Sequence, residues 1–193
     1  MHAYLENYFN LKKSFVFYGS YHRNWMNQMV HIVFVPAIFT TALSFIARIP
    51  ITDKINLSHI VAAFYAISFL KMEPLAGALY APVIGAMEYL GSQVLIHYVP
   101  ASVAVHLIGW VAQILAHKLV EGRQPAFRED PFQAFHAAVF FVWLEVLFQL
   151  GYRPLEKEEL EKLVKEQVAK MDAKNALQTV RGTAASTTAK KVE

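Results

Sequence analysis

Hydrophobic residues gather in five long stretches along the first 150 residues, with polar residues between and after them. The stretches cover 28–47, 55–70, 75–99, 101–115 and 132–150. A helix needs ~20 apolar residues to cross a bilayer, within a range of about 17–25. By length, the first, third and fifth stretches predict membrane-spanning helices. The second and fourth are shorter, which leaves tilted spans, re-entrant segments or buried helices open for them.

Composition supports a membrane protein. Hydrophobic residues make up 55% of the chain and charged residues 17%, whereas a soluble domain usually carries about 25% charged residues. Residues 155–193 hold 15 of the 33 charges. We therefore predict an all-α, multi-pass membrane bundle of about four to five apolar helices over 1–154. The alternative, a soluble bundle, is disfavoured because 193 residues cannot completely bury several helices that are apolar all round.

The polar C-terminal region predicts a helix followed by a flexible tail. Apolar residues recur at helical spacing between Leu155 and Ala176, with Glu and Lys between them. Such a helix is either solvated or lies on the membrane surface. Residues 182–193 have low complexity and predict disorder. The final Lys190-Lys191-Val192-Glu193 matches the dilysine retrieval signal of endoplasmic reticulum membrane proteins, which indicates that membrane.

Basic residues predict the orientation. Lys12, Lys13 and Arg23 precede the first stretch, which favours a cytoplasmic N-terminus. Basic residues also flank the fifth stretch on both sides, in 118–128 and in the tail. A simple crossing cannot keep both flanks in the cytoplasm. We therefore expect one re-entrant segment, which returns the C-terminus to the cytoplasm.

Charge and cysteine content exclude several classes of function. The net charge of +3 is not concentrated in a basic patch, so we predict no nucleic-acid partner. The chain has no cysteine, which excludes disulfide scaffolds, thiolate zinc sites, iron–sulfur clusters and cysteine nucleophiles. The HExxH, Walker A and GxSxG signatures are also absent from the sequence.

The first polar block lies at the start of the first apolar stretch. Asn24 is placed to cap the helix that follows. Asn27 and His31 are four residues apart and share one helix face, while His22 precedes the cap and can fold over the helix end. From spacing alone, this pattern favours a capped helix with a hydrogen-bonded interfacial histidine. The alternative is a pair of metal ligands, His22 and His31, with Asn27 supporting them.

The second polar block lies on the fourth stretch and just beyond it. Gln113, His117 and Glu121 are spaced by four residues and form a polar stripe that must face a cavity or the protein interior. His106 falls near the same face, about 16 Å earlier along a straight helix. Three alternatives follow: the helix breaks at Gly109, two metals bind, or one histidine is not a ligand.

Together these blocks resemble the Mpo1-like family of small multi-helix membrane proteins. The family's first pattern runs from a Tyr through His-Arg-Asn to a later Asn and His. It is matched here by Tyr18 or Tyr21, His22, Arg23, Asn24, Asn27 and His31. The second pattern is matched by His106, Trp110, Gln113, His117, Glu121, Arg123, Pro125 and Ala126. The resemblance covers roughly residues 8–150.

The resemblance implies an iron(II)-dependent dioxygenase of the endoplasmic reticulum membrane. Relatives shorten 2-hydroxy fatty acids by one carbon in phytosphingosine degradation, so the expected partners are that acid, O2 and membrane lipid. Residues 1–154 would then form the catalytic domain, and 155–193 a cytosolic helix and tail. The family's histidines carry over as iron ligands to His22, His31, His106 and His117.

Further roles follow if the site binds iron. Imidazole suits Fe(II), and an oxygenase keeps open coordination positions. Arg23 or Arg123 would hold the substrate carboxylate. Asn27, Gln113 and Glu121 would orient the ligands. Two other classes remain as alternatives: a non-enzymatic membrane transporter or scaffold, and a zinc-dependent membrane lipid hydrolase.

Overall fold

The computed structural model describes residues 9–123, 126–128 and 130–189. These residues form seven α-helices and no β-strand, which confirms the all-α prediction. The α-helices are α1 (Leu11–Gly19), α2 (Trp25–Ile46), α3 (Leu57–Met72), α4 (Pro74–Tyr89), α5 (Val99–Ala116), α6 (Pro131–Gln149) and α7 (Pro154–Ala189). π-Helical turns follow α4 and α5, at Leu90–Val94 and His117–Glu121, and 3-10 turns form at Leu95–His97 and Ala126–Arg128.

Polar side chains start most of these helices. Asn10, Asn24, Asn56 and Asp130 each accept a hydrogen bond from a backbone N–H in the first turn of α1, α2, α3 and α6. Glu73 does the same for α4. These bonds satisfy backbone donors that have no partner inside the helix. The predicted cap at Asn24 is confirmed.

α2 lies at the centre of the bundle, and α5 packs along it at close range. A Cβ added at Gly109 of α5 would lie 2.7 Å from Cγ1 of Ile38. A Cβ at Gly91, in the π-helical turn after α4, would lie 2.8 Å from the carbonyl oxygen of Thr40. Glycine at both positions therefore permits the close contact with α2. The helix runs unbroken through Gly109. A helix break there, one of the three alternatives for His106 and His117, is therefore excluded.

Three helices are long and apolar enough to cross a membrane: Trp25–Ile46, Val99–Glu121 and Pro131–Gln149. The third stretch is not among these helices. Its α-helix ends at Tyr89, and the π-helical and 3-10 turns that follow end at His97. The backbone of Tyr98 leaves helical geometry, and α5 begins at Val99. The fourth stretch is long enough because its helix continues through the π-helical turn to Glu121.

α7 is longer than predicted and packs against the body of the protein. It continues to Ala189, past the expected end at Ala176 and into the region expected to be disordered. Leu160, Val164 and Val168 are buried in the same apolar core as residues of α1. The retrieval-signal match at 190–193 lies outside the described residues.

The two ends of the described chain meet at one end of the bundle. The carboxylate of Glu121, after α5, accepts hydrogen bonds from the backbone N–H groups of Arg23 (3.0 Å) and Asn24 (2.9 Å) at the start of α2. Lys12 of α1 forms an ion pair with Glu159 of α7. The start of α2, the end of α5, α1 and α7 therefore lie on the same side.

Candidate metal centre

Three buried histidines from distant parts of the chain meet at this end. His22, His31 and His117 each offer a ring nitrogen, and these atoms all lie within 4.8 Å of one another. The ring centroids are 4.4 Å apart for the first two, and 4.7 Å and 5.1 Å from that of His117. Relative exposure is at most 6% for all three side chains. Imidazoles at this spacing suit Zn, Cu, Fe or Ni.

Each histidine comes from a different element. His22 lies in the turn between α1 and α2, and His31 lies two turns into α2. His117 begins the π-helical turn after α5. Such turns widen a helix locally and are frequent at functional sites. Neither block of the sequence makes the site alone, since it forms where the start of α2 meets the end of α5.

Backbone carbonyls orient two of the rings. Nδ1 of His22 donates a hydrogen bond to the carbonyl oxygen of Tyr18 (2.8 Å), and Nδ1 of His31 donates to that of Asn27 (2.9 Å). The ring of Tyr18 also stacks on His22, with centroids 4.0 Å apart. Fixing the proton on Nδ1 leaves the Nε2 lone pair for a metal ion.

Polar atoms without partners gather at the same place. Within the described part of the chain, Nδ1 of His117, Oδ1 of Asn27 and the hydroxyl of Tyr18 are buried and lack a hydrogen-bond partner. Buried polar groups are nearly always satisfied, so such exceptions indicate an ion, water or reactant. The nitrogen donor set and the open nitrogen of His117 therefore fit a divalent metal ion.

Burial keeps the side chains of His22 and Tyr18 in their neutral forms. Removal from water lowers the pKa of His22 well below its usual value, and the two neighbouring histidines lower it further. Burial raises the pKa of the Tyr18 phenol well above 10, and the carboxylates of Glu145 and Glu121 raise it further. At neutral pH, His22 offers a lone pair and Tyr18 a hydroxyl proton.

Glu121 and Asn27 hold the helices that carry the histidines. Besides its two bonds to the backbone of α2, Glu121 accepts a hydrogen bond from Nδ2 of Asn27 (3.1 Å). Asn27 is fully buried, and its backbone carbonyl is the partner of His31. The contact between these two side chains thus couples the end of α5 to the helix turn that orients His31.

The two predicted arginines differ in their contacts. Arg123 forms two hydrogen bonds with the carboxylate of Asp172 on α7, at 2.7 and 2.9 Å. Its guanidinium is therefore engaged in joining α5 to α7. Arg23 is exposed and lines a polar cavity that also touches His22.

This polar cavity has a volume of about 350 Å³ and lies between α7 and the start of α2. Its wall includes the carboxylate side chain of Glu145 and the cationic side chains of Arg23, Lys157 and Lys165. It reaches His22, so charged side chains of α7 surround one approach to the cluster.

A small apolar cavity of about 50 Å³ opens on the other side of the cluster, and all three histidines line it. Its wall comes mainly from α5, α6 and the 3-10 turn between them, and it includes Trp110, Gln113, Ile114, Phe127, Phe135 and Ala138. An apolar cavity with few polar groups at one end is the usual form of a site for an amphipathic small molecule.

His106, the fourth expected ligand, lies outside the cluster. Its Nδ1 lies 2.8 Å from the hydroxyl of Thr41, and its Nε2 accepts a hydrogen bond from the indole N–H of Trp110 (3.0 Å). The physical reason is the straight run of α5, which separates His106 from His117 by three turns. The structure therefore brings together three of the four histidines.

Sequence reasoning assigned no role to Tyr18, which it named only as a match to the family pattern, and left open the role of Glu145, a charge within the fifth apolar stretch. Tyr18 precedes His22 by four residues, as Asn27 precedes His31, and this shared spacing was a usable signal. Glu145 comes from α6, far along the chain, and only the packing of α6 and α7 brings it toward the cluster.

Comparison with known proteins agrees with this geometry. The model of the family described as "2-hydroxy-palmitic acid dioxygenase Mpo1-like" matches residues 8–150. The 2-hydroxy-palmitic acid dioxygenase MPO1 of Saccharomyces cerevisiae is 30% identical over 164 residues, which cover 81% of this chain and 90% of the yeast protein. No solved structure matches the chain.

Proposed function

This chain belongs to the Mpo1-like family, and we propose that it is a dioxygenase of 2-hydroxy fatty acids with Fe(II) held by His22, His31 and His117. The name of the yeast relative, a 2-hydroxy-palmitic acid dioxygenase, supports the substrate class. The observation that carries the proposal is the convergence of these three buried imidazoles beside an apolar cavity.

The donor set is compatible with iron. Three neutral nitrogen ligands leave further coordination positions open, as an oxygenase needs. Three histidines also suit zinc, so the choice of iron rests on the dioxygenase named in the yeast relative and not on the ligands. Fe(II) held by His22, His31 and His117 would supply the redox chemistry with dioxygen and a site that attracts the oxygen atoms of the substrate.

The protein's own residues bind and orient the substrate. The first carbons of the alkyl chain lie in the small apolar cavity beside Trp110 and Phe135, which removes their surface from water, and the rest of the chain extends beyond its opening. Gln113 lines the same cavity and offers amide hydrogen-bonding groups. Arg23 stands where the polar cavity reaches His22, and it is the arginine available to attract the carboxylate. The Tyr18 hydroxyl can donate a hydrogen bond to an oxygen at the cluster.

The overall reaction balances without an added reductant. One 2-hydroxy acid and one O2 give the acid shortened by one carbon, CO2 and water. The bond between C1 and C2 breaks, and the four electrons released reduce O2. This balance suits a site that holds only the substrate, O2 and the metal ion.

The proposed location is a membrane. Three helices have the length and composition of membrane spans, and a fatty acid partitions into the bilayer. We place the protein in the endoplasmic reticulum membrane on the match of Lys190 and Lys191 to the retrieval signal. A role in phytosphingosine degradation follows from the family resemblance.

Removing the ligands tests the proposal. We expect His31→Ala and His117→Ala to lose bound iron and formation of the shortened acid, because each removes one of three ligands. His97→Gln is the matched control, since His97 is exposed and lies outside the cluster. Iron content and product are measured on purified protein, in air and without oxygen.

Two outcomes would contradict the proposal. Retention of iron and product by both alanine variants would remove these residues from the site. Product formation at the same rate without oxygen would exclude a dioxygenase and favour the hydrolase alternative.

A further inference from the structure

We propose that His106 is a positioning residue for the substrate chain and not an iron ligand: it holds the indole of Trp110 in the wall of the apolar cavity. The inference rests on the proposed function, because it assigns that cavity to the alkyl chain. It gives a role to the one histidine of the two sequence blocks that lies outside the cluster.

The hydrogen bonds of His106 define its protonation state. The hydroxyl of Thr41 donates to the carbonyl oxygen of Ala37 (2.9 Å), so it accepts from Nδ1–H of His106 at 2.8 Å. The indole of Trp110 is a donor only, so Nε2 of His106 is the acceptor at 3.0 Å. His106 is therefore neutral with its proton on Nδ1, and both nitrogens are engaged.

Trp110 connects His106 to the substrate cavity. It lies one turn after His106 on α5 and lines the cavity together with the three histidines. Its ring meets Phe135 of α6 edge to face, with centroids 5.6 Å apart. Trp110 precedes His117 by seven residues, about 10.5 Å along the helix axis. A chain bound at the cluster would therefore meet this indole several carbons from its carboxylate.

The support for this indole begins on α2. Thr41 is buried, at 1% exposure, and α5 approaches α2 closely at Gly109, one turn from His106. The order of contact is α2, Thr41, His106, Trp110 and then the cavity. A side chain supported in this way keeps one rotamer, which preserves the shape of the wall.

Loss of the support should weaken chain binding and leave the metal in place. The hydrogen bond between His106 and Trp110 contributes about fivefold to the equilibrium that favours the supported position of the indole. Its loss should weaken binding of the alkyl chain by up to that factor. Since the wall touches the alkyl chain and not the reacting atoms, KM should rise while kcat changes little. The effect should be larger for 2-hydroxypalmitic acid than for a short 2-hydroxy acid that does not reach Trp110.

The experiment compares His106→Ala, His106→Gln, Trp110→Phe and the double variant His106→Ala/Trp110→Phe. Each is tested for bound iron, for equilibrium binding of palmitic acid, which lacks the 2-hydroxyl, and for KM and kcat. Trp143→Phe is the matched control, because that indole donates to the carbonyl oxygen of Ala76 and does not line the cavity. His31→Ala marks the loss of a ligand.

We expect His106→Ala and Trp110→Phe each to weaken palmitic acid binding by up to about fivefold, with iron content unchanged. The double variant should be no weaker than either single variant, because both remove the same contact. His106→Gln should recover part of the binding, since its amide oxygen can accept from the indole. Thr41→Val, which removes only the outer bond, provides a milder variant if His106→Ala fails to fold.

Other results would overturn the inference. Loss of iron in His106→Gln or Thr41→Val, to the extent seen in His31→Ala, would make His106 a ligand. Additive effects in the double variant would show that His106 acts independently of Trp110. If the parent protein does not oxidise 2-hydroxy acids, the proposed function fails, while iron content and palmitic acid binding still decide the role of His106.

Discussion

Tyr18 and Asn27 orient the rings of His22 and His31 through their backbone carbonyl groups. Each offers its carbonyl oxygen to the Nδ1 atom of a histidine four residues later. A side-chain substitution leaves these bonds in place. The two side chains have separate contacts. That of Asn27 donates a hydrogen bond to Glu121, and the Tyr18 hydroxyl is buried at the cavity without a partner among the described residues.

The Tyr18 hydroxyl leads to a prediction at the residue scale. We expect Tyr18→Phe to leave stability equal or slightly higher, because it removes a buried, unsatisfied polar group and keeps the ring that stacks on His22. Product formation should fall, since Tyr18 lines the cavity proposed for the substrate and its hydroxyl is a free donor there. Thermal unfolding and turnover are compared with Tyr89→Phe, an exposed control. A marked loss of stability with full activity would contradict this role.

At the scale of elements, the contact between α2 and α5 determines the geometry of the site. α2 carries His31, and the helix of α5 leads directly into His117. Gly109 lets the two helices approach, and Glu121 joins their ends. Any change that separates the helices therefore separates the ligands.

Two glycines provide a matched test of this contact. We expect Gly109→Ala to destabilise the protein by about 1–3 kcal/mol, because its Cβ would overlap Ile38, and to reduce iron binding. Gly85→Ala in α4 should be neutral or stabilising by up to about 1 kcal/mol, since its Cβ meets nothing within 4 Å and alanine favours helix. Thermal unfolding and iron content measure both. Equal effects of the two substitutions would contradict the role of the contact.

At the scale of the whole molecule, the packing of α6 indicates whether this helix crosses the membrane. Glu121, the last residue of the π-helical turn after α5, lies against the start of α2. The first turns of α7 pack beside α1, on the same side of the protein. α6 lies between these points, so we expect it to make no net crossing of the membrane. Half of its most apolar window is buried in protein, compared with 17% for Val99–Glu121, which explains how an apolar helix need not span.

The absence of cysteine in the sequence makes this arrangement testable. We expect single cysteines at Lys13 and Glu158 to react with a membrane-impermeant thiol reagent from the same side. A cysteine at Asp53, in the exposed loop after α2, should react from the opposite side. Each variant is labelled in sealed vesicles, and the cysteine-free parent gives the background. Labelling at Lys13 and Glu158 from opposite sides would contradict the absence of a net crossing by α6.

Local patterns in the sequence were sufficient for the helices and for the two polar blocks. Asn24 caps α2 as its position before an apolar run indicates, and the four-residue spacing of Asn27 and His31 determines that they share a face. The four-residue spacing of His117 and Glu121 likewise predicts that both face the protein interior, and both contact residues at or just before the start of α2. These features follow from helical geometry, which acts over a few residues.

Only the tertiary structure decided which blocks meet. His22, His31 and His117 converge because the end of α5 lies against the start of α2, while His106 is carried three turns away on the same straight helix. The third and fourth apolar stretches each pass from an α-helix into a π-helical turn, at Leu90–Val94 and His117–Glu121, and the sequence pattern predicted neither turn. Sequence periodicity gives each helix its faces, but long-range packing selects the faces that come together.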